Sequence, residues 1–358
     1  MERAAQLNPA AWPSEDSIPI VGRGRSTRLF ASTLIACACL SALLAGWLPL
    51  QVSVITVFLF AGPHNWFELR YFLMRLPVRF GKSRNFFLVA FAGLGLLTLS
   101  YISLPVLNSF NLLPDRLWPY LLASWNTLML LWIAALVWLR GKNKRARNWS
   151  AVYPIIFALC SLNWLAPEFF SLGIVYLHPL VALWFFDRHL ARTRPGWLRI
   201  YRRCLCLLPI LLLLMLWQLG QTAALPDDNG LFWRITQQSG AQLLPNVSSR
   251  LLVGTHVFLE MLHYGVWLVA LPLIAPLAND QASKQPVPRA IWKVRSVPVA
   301  RHPRGFPKLI TTALALGAFV VFLLWLGFST DYATTRDIYF TVAIAHVLAE
   351  APFLLRML

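Results

Sequence analysis

The chain has 358 residues, 58% of them hydrophobic and only 13% charged, with a mean hydropathy of +0.59. Soluble domains carry about a quarter charged residues, so disorder and a single soluble globular domain are both excluded. The net charge of +18 would point to nucleic acid in a soluble protein. Here the cations lie between long apolar runs, where they report membrane topology instead.

A helix needs about 20 apolar residues to cross a hydrocarbon core of roughly 30 Å. Ten such segments follow in chain order: 29–49, 52–74, 86–106, 119–139, 150–165, 167–187, 204–220, 250–276, 308–328 and 337–357. The expected fold is therefore all-α, a polytopic integral membrane helix bundle of about ten transmembrane helices. Residues 1–28 form an inner tail and 29–358 a single transmembrane domain. The first apolar run follows about 28 mixed residues and is long enough to stay as an anchor rather than a cleaved leader. With both termini placed inside, only Arg116, Arg234, Arg250 and Arg336 of the 32 lysines and arginines fall on the outer side. That asymmetry is a positive-inside signature, and the expected location is a bacterial inner (plasma) membrane among bilayer lipids.

Two connections have character. The outer loop 221–249 contains Gly230-Leu-Phe-Trp-Arg-Ile, which reads either as a short interfacial helix or lid or as a plain connector. The inner loop 277–307 is rich in proline and cations and reads as an extended linker on an anionic lipid surface. The five cysteines, Cys37, Cys39, Cys160, Cys204 and Cys206, lie in spans or at their inner edges, where reduced thiols are expected.

The chemistry lies in three buried pairs. Glu68, Glu260 and Glu350 sit inside apolar spans, and each has a histidine four residues before it: His64, His256 and His346. With 7 histidines and 6 glutamates in the chain, chance gives well under one such pair. Four residues is just over one helical turn, so each pair shares a face. His263 extends the second pair into a polar stripe, and His178 adds a candidate in the sixth span. At 1.5 Å per residue, His64, His178, His263 and His346 lie about 14–20 Å into their spans, near the midplane. Glu260 and Glu350 fall at about 15 and 20 Å, with His256 higher and Glu68 lower.

Ionisable groups at that depth cost about 2.5–3.5 kcal/mol each on the insertion scale, so several at one level are best explained by facing one another. Neutral imidazoles around a divalent transition metal remove the cost of isolated burial. His64, His256, His263 and His346 are the expected ligands, with His178 as a further candidate. Glu68, Glu260 and Glu350 are expected to orient the imidazoles or to ligate, as the catalytic carboxylates. Imidazole with carboxylate suits iron first, and also zinc or manganese. His189 and His302 lie in basic inner segments and are expected to be solvated. Asp187 and Glu168 lie at span ends, where they need no special role.

The segment Gly62-Pro63-His64-Asn65-Trp66-Phe67-Glu68 resembles the first signature of the membrane β-carotene 15,15'-dioxygenases of the Brp/Blh type. That family shows a Pro-His-Gly stretch with an acid four residues after the histidine. Asn65 stands here in place of the glycine, and Glu68 in place of the usual aspartate. The resemblance implies a non-haem iron held by histidines from several helices, with His256, His263 and His346 in the matching parts. It also implies O₂ as co-substrate and an isoprenoid or carotenoid-like substrate.

The expected function is thus a membrane-embedded non-haem metal oxidoreductase acting on an apolar lipid, with dioxygenase chemistry. Three other readings fit the same residues. A haem-b or quinone-linked electron-transfer subunit would use paired histidines as axial ligands. A proton-coupled transporter would use a midplane His/Glu relay. A non-catalytic membrane subunit fits the composition but leaves the three pairs without a purpose.

Overall fold

The structure is a computed structural model that describes residues 20–77, 80–143, 149–225, 230–277 and 306–357. The described residues form helices joined by short turns, with no strand among them. In chain order the helices are α1 Ile20–Trp47, α2 Pro49–Arg75, α3 Arg84–Ser109, α4 Trp118–Asn143, α5 Val152–Leu165, α6 Pro167–Thr193 and α7 Pro195–Leu205. They continue as α8 Leu207–Gly220, α9 Leu231–Gln238, α10 Ser249–Gly265, α11 Leu271–Leu277, α12 Pro307–Thr330 and α13 Tyr332–Met357. A π-helical turn, Val266–Ala270, joins α10 to α11.

Eight helical stretches are long and apolar enough to cross a membrane: Thr27–Trp47, Gly81–Ser109, Trp118–Lys142, Pro167–Thr193, Pro195–Gly220, Ser249–Ile274, Pro307–Thr330 and Tyr332–Met357. The two other expected spans differ for physical reasons. Helix α2 has 27 residues, ample length, but Pro63, His64, Asn65 and Glu68 lower its hydropathy. Helix α5 has only 14 residues. The expected seventh span also begins earlier, at Pro195, because α7 leads straight into α8 through Cys206. Most of the outer surface is apolar: Leu96, Phe157, Leu165, Leu213 and Trp217 are all exposed. Apolar patches of that extent are rare on soluble monomers, and lipid is the solvent that suits them.

Helix α10 is central and packs against α1, α2, α6 and α8. Gly254 permits that closeness, because a Cβ there would meet Leu219 Cδ1 at 2.5 Å and Ala45 O at 3.5 Å. Helix α13 completes the centre by packing against α2, α3, α4, α6 and α12. An aromatic layer lies towards the C-terminal ends of α2, α6 and α13. In it Phe72 stacks on Phe353 at 4.3 Å, and Phe185 and Trp267 lie 5.2 Å apart. A smaller-residue layer, including Ala38, Ala42, Ala45, Val253 and Val257, lies towards the other end.

The Gly230-Leu-Phe-Trp-Arg-Ile stretch opens α9, a short helix whose Ile235 and Thr236 are buried and which packs on α2 and α10. Its Arg234 pairs with Asp337, and its Gln238 binds both Asp337 and Arg336. The loop is therefore anchored to the start of α13. The inner tail up to residue 19 and residues 278–305 of the inner loop, including His302, lie outside the described residues. All five cysteines are free.

Candidate metal centre

Four helices carry the site. His64 and Glu68 come from α2, His178 from α6, His263 from α10, and His346 and Glu350 from α13. His64, Glu68, His263 and Glu350 are buried, and His178 and His346 are half-buried. The four imidazoles face one another. Ring centroids lie 4.7 Å apart for His178 and His263, 4.9 Å for His178 and His346, and 5.2 Å for His64 and His263. His64 and His346 are 5.3 Å apart, and His263 and His346 6.1 Å.

Ligand atoms converge as two overlapping groups. One atom each from His64, Glu68, His263 and His346 lie within 4.8 Å of one another, and so do atoms of His178, His263 and Glu350. His263 belongs to both groups, which makes them one constellation.

The hydrogen bonds fix which ring nitrogens face inward. His64 Nδ1 lies 2.9 Å from Phe60 O, an atom that can only accept, so Nδ1 carries the proton and Nε2 keeps a lone pair. That Nε2 has no partner. His178 Nδ1 lies 3.3 Å from Glu350 Oε2; with its Nδ1–H turned to that carboxylate, His178 Nε2 also presents a lone pair. It does so 3.0 Å from His346 Nε2. About 3.0 Å is also the spacing of two adjacent ligands around one ion at roughly 2.1 Å.

Around these rings, acceptors outnumber donors. Both carboxylate oxygens of Glu68, Glu350 Oε1, both nitrogens of His263 and His346 Nδ1 are buried without a hydrogen-bond partner. Buried polar groups are nearly always paired, and each orphan costs about 1–3 kcal/mol. A cation satisfies several acceptors at once. The two carboxylates, once ionised around the metal, would match the charge of one divalent ion. The donor set therefore fits a borderline transition metal.

The expected pairing within each helix does not occur. Glu350 meets His178 across the α6–α13 contact rather than His346, and Glu68 has no hydrogen-bond partner among the described residues. His256 and Glu260 stand apart from the centre, contrary to expectation. His256 packs against Tyr176, with centroids 5.8 Å apart, and Glu260 Oε1 accepts a 2.7 Å bond from Tyr264. The reason is depth: seven residues from His256 to His263 is about 10.5 Å along the axis, beyond reach of a shared ion.

Two further residues depart from the sequence reading. His189 is buried rather than solvated: its Nδ1 accepts from Tyr71 Oη at 2.8 Å and from Arg75 Nη2 at 3.0 Å. Arg336, placed in an outer connection by its sequence, is 1% exposed. It reaches Gln238 and, at 3.4 Å, Ser53 Oγ, and it lies 4.7 Å above the Phe340 ring. Its charge acts on Glu260. Only the amphipathic pattern that forms α9 hinted that this end is covered. Tyr264 ties the two regions together, bonded to Glu260 and with its ring 4.5 Å from that of His64. Asp187, read as needing no role, forms a local ion cluster with Arg188 and Arg202.

Comparison with family models, curated proteins and solved structures finds no match to this chain.

Proposed function

We propose that this protein is a membrane-embedded non-haem metal oxidoreductase, iron-dependent in the first instance, acting on an apolar lipid or isoprenoid. One observation carries the reading: four imidazoles from four helices converge with Glu68 and Glu350 in a buried site rich in unpaired acceptors. His64, His178, His263 and His346 would hold the metal, and Glu68 would ligate it or neutralise its charge. Glu350 is a positioning residue, since it fixes the tautomer of His178. A transition metal held there would supply the activation of O₂.

The rest of the machinery is the chain's own. The Phe72, Phe185, Trp267 and Phe353 layer excludes water from one side. The accessible surface of the centre lies on His178 and His346, so the α6–α13 side is where an apolar substrate would approach. The ten-pass topology and the distant relation to the Brp/Blh-type dioxygenases belong to the same proposal.

Elemental analysis and an absorption spectrum of detergent-purified protein test it. We expect about one transition-metal ion per chain, lowered by at least about tenfold in His64→Ala and His346→Ala variants that still insert in the membrane. Protein that stays free of metal after incubation with Fe²⁺, Zn²⁺ and Mn²⁺ would refute the reading. A Soret band would replace it with a haem protein.

A further inference from the structure

Four arginines meet where α2, α4, α6 and α13 end. Arg75, Arg140, Arg192 and Arg356 each lie in or next to the last turn of their helix. Arg356 is close enough to be repelled by Arg140, Arg75 and Arg192, and Arg140 by Arg192. Like charges gathered this way need a reason, because each pair is unfavourable.

Their partners are neutral. Arg140 Nη2 donates to Arg356 O at 3.1 Å, Arg356 Nη1 to Arg75 O at 2.8 Å, and Arg192 to Met357 O. Arg75 donates to His189. Among the described residues none of the four lies within ion-pair distance of a carboxylate; Asp187, on the same helix as Arg192, is taken by Arg188 and Arg202. The helix C-termini contribute roughly half a negative charge each. Among the described residues about two positive charges of these four are then left uncompensated.

The groups are also held in place. Arg356 packs 5.0 Å from the Phe87 ring, and Arg75 5.0 Å from the Tyr71 ring. Arg140 and Arg356 are half-buried, whereas Arg75 and Arg192 are exposed. Among the described residues Arg140 Nε is buried with no partner. A fixed set of guanidinium forks, open on one side and set at the end of a membrane bundle, is suited to a tetrahedral oxyanion.

We propose that Arg75, Arg140, Arg192 and Arg356 form a binding site for a phosphate group, carried by the headgroup of an anionic phospholipid. The site is separate from the metal centre and does not depend on it.

The test uses full-length, delipidated protein in mild detergent, titrated with short-chain phosphatidic acid, phosphatidylglycerol and phosphatidylcholine and read by native mass spectrometry. We expect saturable binding of one anionic lipid per chain and much weaker binding of phosphatidylcholine. The double variant Arg140→Gln/Arg192→Gln should bind the anionic lipid at least about tenfold more weakly. Lys82→Gln/Arg84→Gln, which removes two exposed cations flanking the same end, should change it by less than about twofold. An equal loss in both double variants would reduce the effect to general surface charge and overturn the proposal.

Displacement of the lipid by pyrophosphate on the wild-type protein needs no variant. Failure to displace would also overturn it. If inorganic phosphate binds as tightly as the lipids, the phosphate site stands, but its natural occupant is a free anion and the lipid assignment falls.

Discussion

His263 offers the sharpest test of the centre, because the sign of its effect depends on whether an ion is bound. It is 3% exposed, neither ring nitrogen has a hydrogen-bond partner among the described residues, and it belongs to both ligand groups. Consider His263→Leu, which keeps similar bulk. Without metal, the native imidazole buries one donor and one acceptor unpaired, at about 1–3 kcal/mol each. Leucine removes both, so the variant should be more stable than metal-stripped wild type by roughly 2 kcal/mol or more, and unfold at a higher temperature. With metal, the wild type gains the binding free energy, and the variant loses a ligand. Even outer positioning groups are worth about 10–100-fold in affinity, or about 1.4–2.8 kcal/mol, so a direct ligand sets a higher floor. The order of stability should therefore invert when a chelator is added. The assay is thermal unfolding in detergent, with and without chelator, beside elemental analysis of both proteins. Wild-type metal content in the variant, or the same order of stability in both conditions, would defeat the reasoning.

Two more substitutions probe the frame around the site. Gly93→Ala would set a methyl 2.0 Å from Trp132 Nε1, an indole that donates to Val89 O at 2.9 Å. Displacing that buried ring should cost about 2–5 kcal/mol through overpacking and a lost hydrogen bond, and an unchanged unfolding temperature would show that α3 and α4 do not meet there. Arg336→Met should cost about 3–5 kcal/mol, since it leaves Gln238 Oε1 without its arginine donor and removes the charge that acts on Glu260. Adding Glu260→Gln should return at least about 1 kcal/mol of that, and strict additivity of the two changes would argue against the coupling.

Much of this architecture was legible in the sequence, because membranes impose simple patterns. Apolar runs of fixed length marked most of the long helices, and histidine and glutamate inside those runs marked the centre. What the sequence could not show is partnership across helices. Spacing of four residues implies a shared face, and it suggested that Glu350 serves His346. In the folded chain Glu350 instead meets His178, which lies 172 residues earlier. His178 stands alone in the sixth span, without a glutamate four residues on, and only the approach of α6 to α13 reveals its place. His256 shared the correct face but not the correct depth, and face alone cannot separate the two. Arg336 and His189 were misjudged for the opposite reason. Each sits among polar residues at a span end, and each is buried by an element distant in sequence, α9 for Arg336 and α2 for His189.

The backbone gives a last, independent sign that this level of the bundle is specialised. Every helix that contributes to the centre is irregular within three residues of a site residue. Pro63 precedes His64, Pro179 follows His178, and Pro352 lies two residues after Glu350. In α10, the π-helical turn begins at Val266, three residues after His263. A proline inside a helix removes one hydrogen bond and costs about 3 kcal/mol or more, here leaving Leu59, Val175 and Leu348 carbonyls without their helical donors. In a hydrocarbon interior no water replaces those bonds, so such breaks are tolerated only where protein or a polar cavity surrounds them. Regular helices would present His64 with Glu68 and His346 with Glu350 as stacked pairs, about 6 Å apart. Prolines and π-turns are where helices depart from a straight course, and side chains from all four helices converge here in two overlapping groups. The distortion and the convergence of acceptors occur at the same depth, which is the relation expected when backbone regularity is given up to shape a site.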